Sequence, residues 1–317
     1  MSKQKPVHLL LALVLLLLLI VGNITAVGAT GSTAPKQPTP TPSGPTPTPP
    51  PVPAGMRAGL RASNYGISPW PSPTWWVNSI NSMKSRWPGS TGEQVAVVVE
   101  VSGGGGRGKC WAHFPQPATG TWPNVNWDSV DLFEPAFDAF DTNGIKVWLQ
   151  VEPATCDVPM LIDLMMLQYG HHPSVLGFGV DVEWYRKDLA QYGKPVTDAE
   201  AQAWVQKTQT YNPTYLVFLK HWLTEKMPPT YRTGLVFIDD SQGHGSLNAM
   251  VTEFSNWGQT FAPSPVGFQY GYQSDKSWWS GLPDPPKTIG NALLANIPNT
   301  RDLVWVDFTA YDIWPPQ

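Results

Sequence analysis

The sequence predicts an α/β chain whose globular part, residues 57–317, folds as a (β/α)8 TIM barrel with one strand irregular or missing. Three observations predict it. Strand-like and helix-like patterns alternate over roughly 260 residues, the usual length of one such barrel. No linker or internal repeat interrupts that stretch. Several strand-like runs end on an acidic residue, as expected where parallel strands open together at one mouth.

Residues 1–56 stand apart. Lys3 and Lys5 precede the unbroken apolar run Leu9–Val21, and small residues follow around Ala26 and Ala29. Residues 1–29 therefore read as a secretory signal cleaved near Val27-Gly28-Ala29, or as an uncleaved membrane anchor if the apolar run extends through Ile24. Residues 30–56 form a disordered Thr/Pro-rich linker containing P-T-P-T-P-S-G-P-T-P-T-P-P-P-V-P, which cannot bury a core and stays extended. The expectation is a secreted or membrane-tethered monomer.

In the remaining chain, strands are expected at Leu60–Ile67, Val95–Ser102, Lys146–Glu152, Val175–Glu183, Thr233–Asp239, Val266–Tyr272 and Leu303–Thr309. Helices are expected at Pro73–Arg86, Ser129–Asn143, Val158–Gly170, Thr197–Gln209, Pro213–Lys226, Ser246–Trp257 and Thr288–Ile297, several opening on Ser, Thr or Asp. An eighth strand belongs between Tyr211 and Lys220 or near Ile289. The whole chain carries a formal charge of −4, and its first 54 residues hold three lysines and no acid, so the remainder stands at −7. That balance argues against a nucleic-acid partner. Only 14% of residues are charged, yet there are 16 Trp, and those expected on loops, Trp70, Trp75, Trp76, Trp111, Trp122, Trp127, Trp278 and Trp279, would offer flat apolar faces of the kind sugar rings pack against.

The most informative stretch is Val175–Trp184, V-L-G-F-G-V-D-V-E-W. Alternation puts Leu176, Phe178, Val180 and Val182 on one face and Gly177, Gly179, Asp181 and Glu183 on the other. Glycines on an inward face imply a close approach or an open interior. Asp181 and Glu183 would lie about 7 Å apart along one face, close enough for mutual repulsion to favour a proton on one of them. A protonated carboxyl beside an ionised one suits glycosidic-bond hydrolysis, one group protonating the leaving oxygen while the other stabilises positive charge. Further polar residues gather where strands stop: Glu100, Gln150 with Glu152, Asp239 with Asp240, and Asp307. Gln150 and Glu152 share a face, as do Trp305, Asp307 and Thr309, and both sets are expected to point inward.

These residues resemble family 18 glycoside hydrolases, the chitinase-like barrels, whose fourth strand closes in D-x-E. The resemblance implies Glu183 as general acid and Asp181 as the residue orienting an acetamido nucleophile. Gly267-Phe268-Gln269-Tyr270 looks like that family's tyrosine-bearing sixth strand, which implies sugar contacts from Gln269 and Tyr270, and Trp305 resembles its last-strand tryptophan. The family's earlier acidic positions fall on Leu176 and Gly179, so an acid relay behind Asp181 is absent. A weaker similarity to family 25 lysozyme-like barrels rests on the same D-x-E and on Val306-Asp307-Phe308, whereas Asn64-Tyr65-Gly66-Ile67 lacks their first-strand Asp. Both families act beside N-acetylated sugars. The expected substrate is an N-acetylhexosamine-containing polysaccharide.

Cys110 and Cys156 follow the second and third expected strands and, in an exported chain, most simply pair as a disulfide bracing one wall of the mouth. Ser102-Gly103-Gly104-Gly105-Gly106-Arg107-Gly108-Lys109 lacks the ending of a phosphate loop and reads as a flexible mouth loop. His171 and His172 precede the Asp181 strand and read as helix-end histidines on the far face, while His113 and His244 fall on mouth loops. Glu100, Glu152, Asp239, Asp240 and Asp307 keep open a metal-dependent hydrolase using oxygen ligands. A non-catalytic carbohydrate-binding barrel is the other alternative. The preferred reading calls for a glycan partner, no cofactor and no metal.

Overall fold

The computed structural model describes residues 52–316. The expected signal or anchor, residues 1–29, lies outside the described residues, as does all but the end of the linker. In chain order the elements are β1 (Arg57–Ala62), α1 (Pro73–Lys84), β2 (Thr91–Val101), β3 (Cys110–Ala112), β4 (Val125–Trp127), α2 (Glu134–Asn143), β5 (Lys146–Val151), α3 (Val158–Tyr169) and β6 (Val175–Asp181). There follow α4 (Asp198–Gln209), β7 (Leu216–Lys220), β8 (Leu235–Asp239), α5 (Leu247–Phe261), β9 (Val266–Tyr270), α6 (Lys276–Trp279), α7 (Pro285–Asn296), β10 (Thr300–Trp305) and α8 (Ala310–Ile313). Strands β1, β2, β5, β6, β7, β8, β9 and β10 pair in parallel around a ring that closes through β1 and β2. This is a (β/α)8 barrel. Its irregular piece is the added pair β3 and β4, laid antiparallel on the outer end of β2.

Local chemistry explains the helix starts. Ser72, Asp157, Thr197, Ser246 and Asp284 each accept a backbone N–H of the first turn, and Thr197 with Glu200 completes a capping box. Proline occupies the first turn of α1, α2, α3 and α7, where its missing N–H costs nothing.

The segment Pro213–Lys226, expected as a helix, is instead β7 followed by a single 3-10 turn. It supplies the eighth strand, within the first of the two places expected for it. Strands β1 and β10 also begin earlier than expected, at Arg57 rather than Leu60 and at Thr300 rather than Leu303.

The barrel interior is filled in three layers. At the closed end Arg57 pairs with Glu93 (3.0 Å) and Asp302 (2.6 Å), and Trp148 Nε1 donates to Glu93. Above them Val95, Trp148, Phe218, Val236, Ile238 and Val304 form a buried apolar plug, each side chain contributing about 1.5–3 kcal/mol by burial. The top layer is polar. A larger apolar core lies between the strands and the surrounding helices.

Candidate active site

Strand parity decides what reaches the mouth. In β6 the residue at Gly179 faces inward, and a Cβ there would lie 2.1 Å from the ring of Phe218, which occupies that space from β7. The glycine serves close packing, and the next inward residue is Asp181, the last of the strand and 1% exposed. The chain then turns into a 3-10 turn, Val182–Trp184. Glu183 consequently leaves the strand face for the rim: its N–H donates to Asp181 Oδ1 at 3.3 Å, while its carboxylate lies 3.0 Å from Lys187 Nζ. Lys187 also sits 3.7 Å over the Trp184 ring.

Beside Asp181 in the sheet register is Lys220, the end of β7. Its ammonium lies 2.9 Å from Asp181 Oδ2 and also bonds Asp240. Gln150 Nε2 donates to the same Asp181 oxygen at 3.4 Å. One buried ammonium thus faces two buried carboxylates. Burial lifts the Asp181 carboxyl; Lys220 opposes this, but Asp240, Glu152 and Glu183 reinforce it, and the group stands at about 8. Burial works against the Lys220 ammonium, yet Asp181 and Asp240 outweigh it and hold it well above the usual lysine range.

A second polar group adjoins the first. Arg61, inward from β1, donates to Asp307 Oδ1 (2.7 Å), to Ser63 Oγ (2.9 Å) and to the Tyr65 hydroxyl. Tyr65 in turn donates to Glu152 Oε1, and the backbone of Val101 donates to Glu152 Oε2 at 3.1 Å. Asp307 Oδ2 accepts from the backbone and hydroxyl of Ser63. Burial raises the Glu152 carboxyl against the pull of Arg61. Arg61 and Lys220 already supply the positive charge that a hard cation would bring to these acids. Chemically, the mouth holds a carboxyl whose proton affinity burial raises, set among charge-matched acids, a combination able to give and take protons.

Aromatic faces stand around the cluster. Tyr65 and Phe308 are half exposed with ring centres 5.9 Å apart, and Tyr192 meets Trp222 at 5.6 Å. A cavity of about 340 Å³ is lined by Trp222, Asp240, Ser241, Gln242, His244 and Glu253.

Of the residues expected at the site, Asp181, Gln150, Glu152 and Asp307 converge, with Glu183 at the rim. Glu100 lies on the β3 side, where His113 Nε2 approaches it at 3.2 Å and His113 Nδ1 meets Asp128 at 2.8 Å. Asp239 points away from the mouth, accepting from Ser241, whose hydroxyl also reaches Glu253 on α5. Its neighbour Asp240 takes the inward position, because Val236 and Ile238 set the parity of β8. Gln269 is wholly buried inside the barrel.

Tyr270 and Trp305 are corrections to the expectation of inward, sugar-contacting side chains. Both are fully buried in the layer outside the sheet, ring to ring at 5.4 Å, with the Tyr270 hydroxyl donating to Pro286 O and Trp305 Nε1 to Thr309. Asp302 and Val304 are the inward residues of β10, so Trp305 necessarily falls on the other face. Among the tryptophans, Trp111 is exposed whereas Trp76 and Trp279 are buried. Cys110 and Cys156 form the expected disulfide, tying β3 to the loop after β5. Arg61, Tyr65 and Lys220 were not anticipated. The alternation Leu216, Phe218, Lys220 was the available signal for the last of these.

Fold and site together define a parallel barrel with an acid cluster at its mouth. No family model and no curated protein matches the sequence. Among solved structures the chain is similar to TIM-barrel glycoside hydrolases. One is an FMN-binding β-glucuronidase from Facaelibacterium prausnitzii L2-6, at 13% identity and TM-score 0.45 over 82% of this chain and 38% of that one. Another is a β-glucuronidase from Bacteroides uniformis, at 14% and 0.44 over 78% of this chain and 30% of that one. A third is an endocellulase from Pyrococcus horikoshii, at 10% and 0.45 over 78% of this chain and 83% of that one. The chain thus spans well under half the length of either glucuronidase. At these identities the likeness is one of barrel architecture and transfers no reaction.

Proposed function

We propose that this chain is an exported glycoside hydrolase acting on an extracellular, N-acetylhexosamine-containing polysaccharide. The observation that carries the reading is Asp181: a buried carboxyl whose proton affinity stands at about 8, at a barrel mouth and two residues from the accessible carboxylate of Glu183. In this reading the entering sugar displaces Lys187 from Glu183, which takes a proton from solvent, passes it to the leaving oxygen and recovers it from the water that completes hydrolysis. Asp181 orients the acetamido group and steadies the oxocarbenium-like state. Gln150, Glu152 and Asp307 position the ring, and Tyr65, Phe308, Trp222 and Tyr192 offer it apolar faces. The D-x-E resemblance to family 18 supports the same assignment.

One observation favours a second reading. Asp240, rather than Glu183, borders the 340 Å³ cavity. Asp181 and Asp240 astride Lys220 would then form the acid pair.

Product release from chitin oligomers and peptidoglycan separates the readings. Glu183→Gln should retain the fold and lose about 10²–10⁴-fold in turnover, while Asp240→Asn loses less. The reverse order would transfer the acid to Asp240. Glycan binding without product from the wild type would leave a carbohydrate-binding barrel and remove the hydrolase.

A further inference from the structure

At the end of the barrel away from the mouth, the turn joining α3 to β6 carries His171 and His172, and Glu134 at the start of α2 reaches them. His171 Nε2 lies 3.2 Å and His172 Nε2 3.4 Å from Glu134 Oε1, and the ligand atoms of all three fall within 4.8 Å of one another. The two imidazole rings are 4.0 Å apart.

His172 is the informative member. It is 2% exposed, and its Nδ1 lies 2.7 Å from Asp141 Oδ2, whose other oxygen accepts the Ser174 N–H at 3.0 Å. A carboxylate at Nδ1 places the ring proton there and turns the Nε2 lone pair the other way. That Nε2 makes no hydrogen bond, and neither does the buried Oε2 of Glu134. Buried polar atoms without partners call for an explanation. Here the Glu134 carboxylate and both imidazole Nε2 atoms lie together within 4.8 Å, and a carboxylate orients the buried ring from behind, which is how histidine ligands of zinc are held.

We propose that Glu134, His171 and His172 bind one divalent transition-metal ion of the zinc class, with Asp141 as the positioning residue and water as the fourth ligand. Two imidazole nitrogens and one carboxylate suit zinc, cobalt or nickel and disfavour calcium and magnesium, which take oxygen ligands. The ion clamps α2 to the α3–β6 turn and has no part in chemistry at the mouth. The proposal is independent of the glycosidase reading.

The test uses the full chain without a histidine tag, stripped by a chelator, then titrated with zinc chloride in a calorimeter and followed by thermal melts. One zinc per chain is expected. At zinc about 100-fold above Kd the melting temperature should rise by about 5 °C, and cobalt should give the visible absorption of a four-coordinate site. His171→Ala, at a largely exposed side chain, and Glu134→Gln should keep the metal-free melting temperature while weakening zinc binding at least about 10-fold; Asp141→Asn should weaken it about 10–100-fold with unchanged stoichiometry. Absence of binding by the wild type at millimolar zinc would overturn the proposal, leaving two histidines in contact with Glu134 and Asp141 alone. Equal zinc affinity in the wild type, His171→Ala and Glu134→Gln would overturn it as well.

Discussion

Asp181→Asn should flatten the pH dependence of folding. The fold lifts this carboxyl, through burial opposed by Lys220 and reinforced by Asp240, Glu152 and Glu183, from an ordinary 3.8 to about 8. An acid raised in this way takes up a proton on folding between the two values. Its contribution is complete below about pH 4 and is lost as pH rises through about 8. Each unit by which the fold raises the group corresponds to about 1.36 kcal/mol of pH-dependent stability. Glu93, also raised to about 8 by burial and Asp302 against Arg57, contributes a slope of the same sign that the variant leaves in place. The decisive quantity is therefore the difference between the two proteins. Urea unfolding free energies measured from about pH 5 to about pH 8 should show the wild type losing stability relative to Asp181→Asn, by more than the roughly 1.4 kcal/mol that one unit corresponds to. Parallel curves would mean that Asp181 does not hold the proton, and the acid–base reading of the mouth would lose its basis.

Two further predictions concern stability. Gly179→Ala puts a Cβ 2.1 Å from the Phe218 ring, which Trp148 holds edge-on at 5.3 Å, so neither can yield freely. A loss of about 1–3 kcal/mol is expected from the shift in urea midpoint, and an unchanged midpoint would mean that the plug is loosely packed. Replacing both Cys110 and Cys156 by Ser opens a closure of 46 residues. The chain-entropy model puts the cost at about 4 kcal/mol, and a difference below about 1 kcal/mol would assign the bridge to local bracing alone.

The barrel was legible because seven of its strands carry β-branched or aromatic runs set between helices most of which open on a capping side chain or an early proline. The eighth was not, for a definite reason. Tyr215, Phe218, Leu219 and Trp222 recur at helical spacing after Asn212-Pro213-Thr214, so the same letters satisfy both periods, and only the pairing with β6 and β8 selects the strand. Losing β7 meant losing Lys220, and with it the counter-charge that organises Asp181 and Asp240. Charge inside the barrel caused the other errors. Arg57, Glu93 and Asp302 neutralise one another in the lowest layer, but as isolated letters they look like strand boundaries. Starting β10 after Asp302 left its parity without a reference, and Trp305 was assigned to the wrong face. The D-x-E pair makes the same point from the other end of a strand. Asp181 and Glu183 share a face only while the extended backbone persists, and it stops at Asp181. The turn at Val182 instead buries one, where its proton affinity rises, and leaves the other at the rim beside Lys187.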